Sequence, residues 1–182
     1  MKLALALAAA AAALAVAGPA AAAGGTFTID GGNARQQANV RAALQASSFD
    51  WSLLPTVTIH IARGTDSFAT PGQVWLDGDL LDSGKYAWGT VQHEVAHQID
   101  FFLLDSSRRA AIQALLGGGD WCYELSGLAH DAHGCERFAD TVAAAYWSSP
   151  GNTARAWAAP AKFRALLNGM LGPERSLASF RR

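Results

Sequence analysis

The sequence predicts a small α+β domain with a short mixed sheet, and three patterns support this class. Alternating apolar residues over 56–62 and a short apolar run over 73–76 are typical of strands. The period changes to that of a helix over 86–104. A further helical segment over 135–147 follows an irregular, glycine-rich stretch. We therefore expect strands early in the domain and two long helices after them.

The first 23 residues have the layout of a secretory signal peptide. One lysine precedes an Ala/Leu/Val run that ends at Ala17, and small residues at 21–23 offer a cleavage site. The apolar core is shorter than the roughly 20 residues that a membrane span needs. We expect cleavage near Ala23 and an exported domain of residues 24–182 with no membrane attachment.

The exported part is about 159 residues long, the length of one domain, and can bury roughly two thirds of its unfolded surface. The whole chain carries 14 Lys and Arg against 15 Asp and Glu, and it has no basic block longer than a pair such as the terminal Arg181-Arg182. Binding to nucleic acid or to a membrane surface therefore has no electrostatic support. We expect a monomer.

Two cysteines, Cys122 and Cys135, are the only ones in the chain. Export would bring them into an oxidising compartment, where an even count favours a disulfide over two free thiols. The closed loop is short and would contribute about 3 kcal/mol on a chain-entropy estimate. Zinc ligation by these cysteines is disfavoured because no CxxC spacing is present.

The first third of the domain reads as an extended segment, a helix and a strand. Residues 24–30 form an extended lead-in, and the turn and cap residues at 30–33 predict a helix over 34–46. In 56–62, Val57, Ile59 and Ile61 share one face, which leaves His60 on the polar face as an exposed strand histidine.

A loop is expected over 64–72, followed by a second short strand over 73–76. The acidic residues Asp77 and Asp79 then come directly after this strand. They lack the spacing of an EF-hand, so we expect a solvated turn there instead of a calcium site.

The helix over 86–104 has two distinct faces. Its predicted buried stripe consists of Val91, Val95, Ile99 and Phe102. His93 and His97 lie outside that stripe and can point together into a cleft. Glycines at 117–119 then break the chain, 120–134 is irregular, and helices over 135–147 and about 159–170 close the domain.

The segment His93-Glu94-Val95-Ala96-His97 is the most informative part of the chain. It places two imidazoles one helical turn apart with a carboxylate beside the first, the pattern of the ligand pair and general base of a zinc hydrolase. With five His and four Glu in 182 residues, random placement gives such a string in roughly one chain in three hundred.

A third ligand must come from elsewhere, because catalytic zinc usually has three protein ligands. Glu136 is the best candidate, since it begins the segment Glu136-Arg137-Phe138-Ala139-Asp140 on the next predicted helix of the domain. Asp140 is one turn further along and lies on the same face.

The two segments resemble the HExxH and downstream ExxxD motifs of the gluzincin branch of the zincin metallopeptidases. Over residues 57–147 the chain looks similar to the catalytic domains related to the anthrax lethal factor. The resemblance implies a small zincin-like fold, with an HExxH active-site helix and a following glutamate helix, around one Zn²⁺ ion. It also implies these roles: His93, His97 and Glu136 as metal ligands, Glu94 as the catalytic base, and Asp140 as the residue that orients His93.

The activity implied is that of a secreted zinc-dependent endopeptidase. Glu94 would take a proton from a metal-activated water as it attacks a peptide carbonyl. A phenol or imidazole usually stabilises the oxyanion, and spacing does not choose among Tyr123, Tyr146, His130 and His133. The resemblance further implies that an edge strand above the cleft pairs with an extended peptide, and residues 73–76 are our candidate.

Several assignments of the site stay open. An aspzincin arrangement would use Asp140 or Asp131 as the third ligand, and His130 or His133 could compete for the metal. A metzincin would need Gly at position 100 and His at 103, where this chain has Asp and Leu. Asp100 could orient a histidine or pair with an arginine.

Two other functions are compatible with the same residues. One is a non-catalytic secreted binding module on a zincin scaffold, and the other is a zinc amidase that acts on cell-wall peptides. Zinc itself is inferred from ligand type, because such sites also accept cobalt or manganese.

Overall fold

A four-stranded mixed sheet forms one layer of the domain. The structure is a computed structural model that describes residues 26–123 and 127–172. The strands lie in the order β1-β2-β4-β3. β1 and β4 both run parallel to β2, whereas β3 pairs antiparallel with β4. The strands are β1 (Phe27–Gly31), β2 (Val57–Ala62), β3 (Phe68–Thr70) and β4 (Gln73–Asp77).

Six helices complete the α+β domain within these described residues, so the predicted class and the short mixed sheet are confirmed. None of these helices has the length and apolar composition needed to cross a membrane. The predicted signal peptide and the terminal arginines lie outside the described residues. The helices are α1 (Ala34–Ala46), α2 (Gly78–Leu81), α3 (Trp88–Leu103), α4 (Ser106–Leu116), α5 (Gly134–Tyr146) and α6 (Pro160–Leu171).

Local sequence signals explain the first elements. The side chain of Asn33 accepts hydrogen bonds from the backbone N–H groups of Arg35 and Gln36, and Gln36 closes the capping box. α1 therefore has the predicted bounds. At Gly31, φ is 72°, and a Cβ there would lie 2.5 Å from the carbonyl oxygen of Ile61. Only glycine fits this turn.

The core is built around α3, which packs against the sheet, α1 and α5. The predicted inward faces of β2 and α3 are buried, except at the end of α3. Phe102 is 42% exposed, so its predicted burial is wrong. The helix ends at Leu103, and the extended backbone of Leu104 turns that next side chain into the core instead.

Three elements were not predicted from the sequence. β3 lies inside the segment expected to be a loop, and three residues are too few to show a period. α2 follows Asp77, which caps it in place of the expected solvated turn. α4 did carry readable signals, because Asp105 caps its first turn and Gly117 ends it with a φ of 72°.

The predicted disulfide between Cys122 and Cys135 is present, with Cα atoms 5.4 Å apart. Cys135 is fully buried in the first turn of α5. The bridge therefore ties the irregular segment before α5 to the start of that helix.

Truncation of the central core residue of α5 should destabilise the fold. Phe138 is fully buried and contacts the rings of Trp121 and Phe163. We expect Phe138→Ala to lower the free energy of unfolding by about 3–5 kcal/mol. Urea denaturation should show this as a lower midpoint. Phe102→Ala on exposed α3 surface is the matched control, and equal losses in the two variants would contradict the assigned core.

Candidate metal centre

The first part of the centre is the cleft face of α3. Val91, Val95 and Ile99 hold one face of α3 in the core. His93 and His97 therefore lie together on the opposite face. Their ring centroids are 5.1 Å apart.

The second part is the first turn of α5, which brings Glu136 against these rings. Glu136 Oε2 lies 3.1 Å from His93 Nε2 and 3.6 Å from His97 Nε2. The three donor atoms lie within 4.8 Å of one another and could hold a metal ion. Two imidazoles and one carboxylate are ligands that suit zinc. The structure thus brings together the three residues predicted from two distant motifs.

The cluster faces a cleft of about 310 Å³. Glu94, His97 and Glu136 are almost fully buried at its base. Strand β3 lies on one side, where residues 67–69 line the cleft, and Phe101 lines it further along α3. The cleft therefore gives a substrate access to the donor atoms and to the Glu94 carboxylate.

The electrostatics of the cluster favour a cation. Burial would raise the pKa of Glu136, but the hydrogen bonds from His93 and His97 outweigh burial and lower it. Burial likewise opposes the charge on His93, yet hydrogen bonds to Asp140 and Glu136 raise its pKa to about 10. A protonated imidazole therefore balances the buried carboxylates, and a bound metal ion would supply that positive charge instead.

Glu94 has a different environment. Burial raises the pKa of its carboxyl group, although the positive charges of His93 and His97 oppose the shift. A carboxylate whose pKa is raised is a stronger base, which suits a group that must accept a proton from water.

Asp140 orients His93 and is itself held in place. His93 Nδ1 lies 2.9 Å from Asp140 Oδ1, which leaves Nε2 directed at Glu136. The indole N–H of Trp157 donates to Asp140 Oδ2 over 3.3 Å. The guanidinium groups of Arg155 and Arg137 lie 3.6 and 4.1 Å from the Trp157 ring centroid. Trp157 lies outside the regular elements, and no sequence pattern indicated it.

Of the candidates for stabilising an oxyanion, Tyr123 lies in the cleft. Its hydroxyl donates to Glu136 Oε1 over 2.5 Å. Tyr123 follows the disulfide-bonded Cys122 and has a φ of 63°. His130 also lines the cleft, with Nε2 at 2.8 Å from Glu136 Oε2, so both side chains contact the Glu136 carboxylate.

The structure places the other two candidates outside the cleft. The buried His133 has Nδ1 at 2.5 Å from Asp120 Oδ1. The hydroxyl of Tyr146 donates to Asn168 over 2.6 Å. Sequence spacing could not separate them from Tyr123, because the distinction depends on how distant segments pack.

The remaining acidic alternatives also lie away from the donor atoms. Asp131 is largely exposed and lies 3.7 Å from Arg155. The buried Asp100 accepts hydrogen bonds from Arg109 and from the Trp121 indole, so it pairs with an arginine. His60 lies on the sheet outside the site, as expected, but it is half-buried instead of exposed, because it pairs with Gln73 and stacks on Trp75.

The edge of the sheet differs from the prediction. Residues 73–76 belong to β4, which is an inner strand, and β3 is the edge strand beside the cleft. Gln98, the residue after His97, fixes this arrangement. Its buried amide donates to the carbonyl oxygens of Thr70 and Gln73 and accepts from the N–H of Gly72. These hydrogen bonds connect the β3-β4 hairpin to α3.

Comparisons with models of known protein families, with curated proteins and with solved structures find no match to this chain.

Removal of the carboxylate ligand should empty the centre. We expect the wild-type protein to bind one equivalent of Zn²⁺, and Glu136→Ala to lose at least about 100-fold in affinity, more than loss of an outer partner usually costs. Isothermal titration against a competing chelator measures this.

Asp131→Ala is the matched control, because it removes a nearby carboxylate that makes no contact with the donor atoms. Wild-type affinity in Glu136→Ala, or loss of zinc in Asp131→Ala, would contradict the ligand assignment.

Trp157→Phe should weaken metal binding through Asp140. The variant keeps an aromatic ring between the two arginines but removes the N–H that holds Asp140 Oδ2. We expect about 10-fold weaker binding and a changed visible spectrum of the Co²⁺-loaded protein.

Trp88→Phe is the control, since the buried indole N–H of Trp88 has no partner within residues 26–123 and 127–172. An unchanged affinity and Co²⁺ spectrum in Trp157→Phe would remove Trp157 from this role.

Proposed function

We propose that this chain is a secreted, zinc-dependent endopeptidase of the gluzincin type. The observation that carries the proposal is the approach of the His93, His97 and Glu136 donor atoms to within 4.8 Å of one another, in a cleft that also contains the Glu94 carboxylate. A structural metal site would not need an adjacent buried base or an open cleft.

The residues divide the chemistry between them. His93, His97 and Glu136 would hold a Zn²⁺ ion, which would supply Lewis acidity to water and to a carbonyl group. Glu94 accepts the proton of the attacking water and returns it to the leaving amine. Asp140 accepts a hydrogen bond from His93 Nδ1, so that Nε2 keeps its lone pair for the metal.

Tyr123 is the group that we assign to the oxyanion. Burial and its hydrogen bond to Glu136 raise the pKa of its phenol, so the hydroxyl stays protonated and can donate. Its location in the cleft lets it turn from Glu136 toward a substrate carbonyl. A donor at that position stabilises the charge that develops as the carbonyl is attacked.

Strand β3 is the element that we assign to substrate binding. Its pairing with β4 leaves the other edge without a strand in the described part of the chain. An extended peptide could pair with this edge through backbone hydrogen bonds alone. That mode would position a peptide bond beside residues 67–69 without requiring a particular sequence.

Export is proposed from the N-terminal segment. The predicted signal peptide and the Cys122–Cys135 disulfide both fit an oxidising compartment outside the cytosol.

Replacement of the base should separate metal binding from catalysis. We expect Glu94→Gln to keep one equivalent of zinc but to hydrolyse a denatured protein substrate about 10²–10⁴-fold more slowly, because the amide cannot accept the proton. The rate of hydrolysis is measured from the appearance of new amino groups. Asp131→Asn, which makes the same charge change away from the cleft, should retain wild-type activity.

Equal rates in wild type and Glu94→Gln would contradict the mechanism. A zinc-loaded wild-type protein that hydrolyses neither proteins nor cell-wall peptides would favour a binding module. Cleavage of the cell-wall peptides alone would favour an amidase.

A further inference from the structure

A second cavity, of about 260 Å³, continues the cleft along α3 toward the start of that helix. His93 and Glu94 line both cavities. The other walls of the second one come from three places: Gly89 and Thr90 in the first turns of α3, Asp140 in α5, and Thr153 and Ala154 in the segment before α6.

We infer that this cavity binds a basic side chain, lysine or arginine, of the residue next to the cleaved peptide bond. The inference rests on the proposed peptidase function. Because Glu94 borders both cavities, a peptide positioned for attack in the first must place one flanking side chain at the mouth of the second.

The charge of the walls selects a cation. The cavity is lined by the carboxyl groups of Glu94 and Asp140, by two threonine side chains and by the imidazole of His93, and no lysine or arginine is among its lining residues. Asp140 keeps 28% of its side chain exposed, so its charge is accessible. Arg155, next to Ala154, is directed elsewhere, because its guanidinium stacks on Trp157 and lies near Asp131. The positive charge at His93, either a proton or the metal that it would hold, is balanced by Glu136. An acidic side chain would therefore meet the like charges of Glu94 and Asp140.

The shape of the cavity is fixed by small residues and by Asn152. A Cβ added to Gly89 would meet Asn152 Oδ1, Thr153 Oγ1 and Ala154 N at 3.6–3.8 Å, which is ordinary contact, so a side chain at this position fits against the segment before α6. The Asn152 amide donates to the carbonyl oxygens of Ala143 and Trp147 over 2.9 and 2.8 Å. These bonds hold the segment that carries Thr153 against α5. The cavity is therefore an ordered subsite with room for a long side chain.

The test compares internally quenched peptides that differ only in Lys, Leu or Glu at each position flanking the cleaved bond. For wild type, we expect kcat/KM to be at least about 10-fold higher with Lys than with Glu at one of the two positions. The reason is that the carboxylates of the cavity attract the Lys side chain and repel the Glu side chain. Thr153→Lys puts a cation on the exposed side of this cavity. It should abolish or reverse that preference and leave the bound zinc unchanged.

Ala114→Lys is the matched control, because it adds the same charge to an exposed position of α4, a helix that lines neither cavity. A second variant, Gly89→Leu, should fill the cavity and reduce cleavage of the Lys peptide more than that of a Gly peptide. It keeps the inference testable if Thr153→Lys fails to fold.

Several outcomes would overturn the inference while leaving the peptidase function intact. These are equal cleavage of all three wild-type substrates, or a uniform change for all of them in both Thr153→Lys and Gly89→Leu. A zinc-loaded wild-type protein without any peptidase activity would instead overturn the proposed function, and the inference with it.

Discussion

The buried carboxylate of Glu136 is the group on which the rest of the site depends. A carboxylate with so little exposure is costly unless positive charge or hydrogen-bond donors surround it. Here two imidazoles of α3, the His130 imidazole and the Tyr123 hydroxyl converge on its two oxygens. This arrangement accommodates a proton on His93 or a divalent cation, and the metal supplies the larger charge.

Contacts from three sides hold that carboxylate and its partners in position. The disulfide at Cys135 restrains the turn that delivers Glu136. Trp157, fixed between two arginines, holds Asp140 and through it the His93 ring. Gln98 connects the β3-β4 hairpin to α3. Each contact joins segments far apart in the chain, so the donor atoms can keep their geometry before a metal binds.

Sequence reasoning succeeded where the signal is local. The capping residue Asn33 set the bounds of α1, and two short motifs supplied the three donor residues that the fold brings together. It failed where tertiary contact decides. β3 exists because it pairs with β4, and Tyr123 is distinguished from Tyr146 by its location in the cleft, beside the disulfide-bonded Cys122. Trp157 and Gln98 could not be found from spacing, because their partners lie 17 or more residues away.

X-ray absorption at the zinc edge of the purified, metal-loaded protein identifies the ligands of the ion. We expect two imidazole nitrogens at about 2.0–2.1 Å, one carboxylate oxygen, one further light atom and no sulfur. A sulfur shell near 2.3 Å, or a single imidazole, would contradict it. Either result would mean that His93, His97 and Glu136 do not form the metal centre.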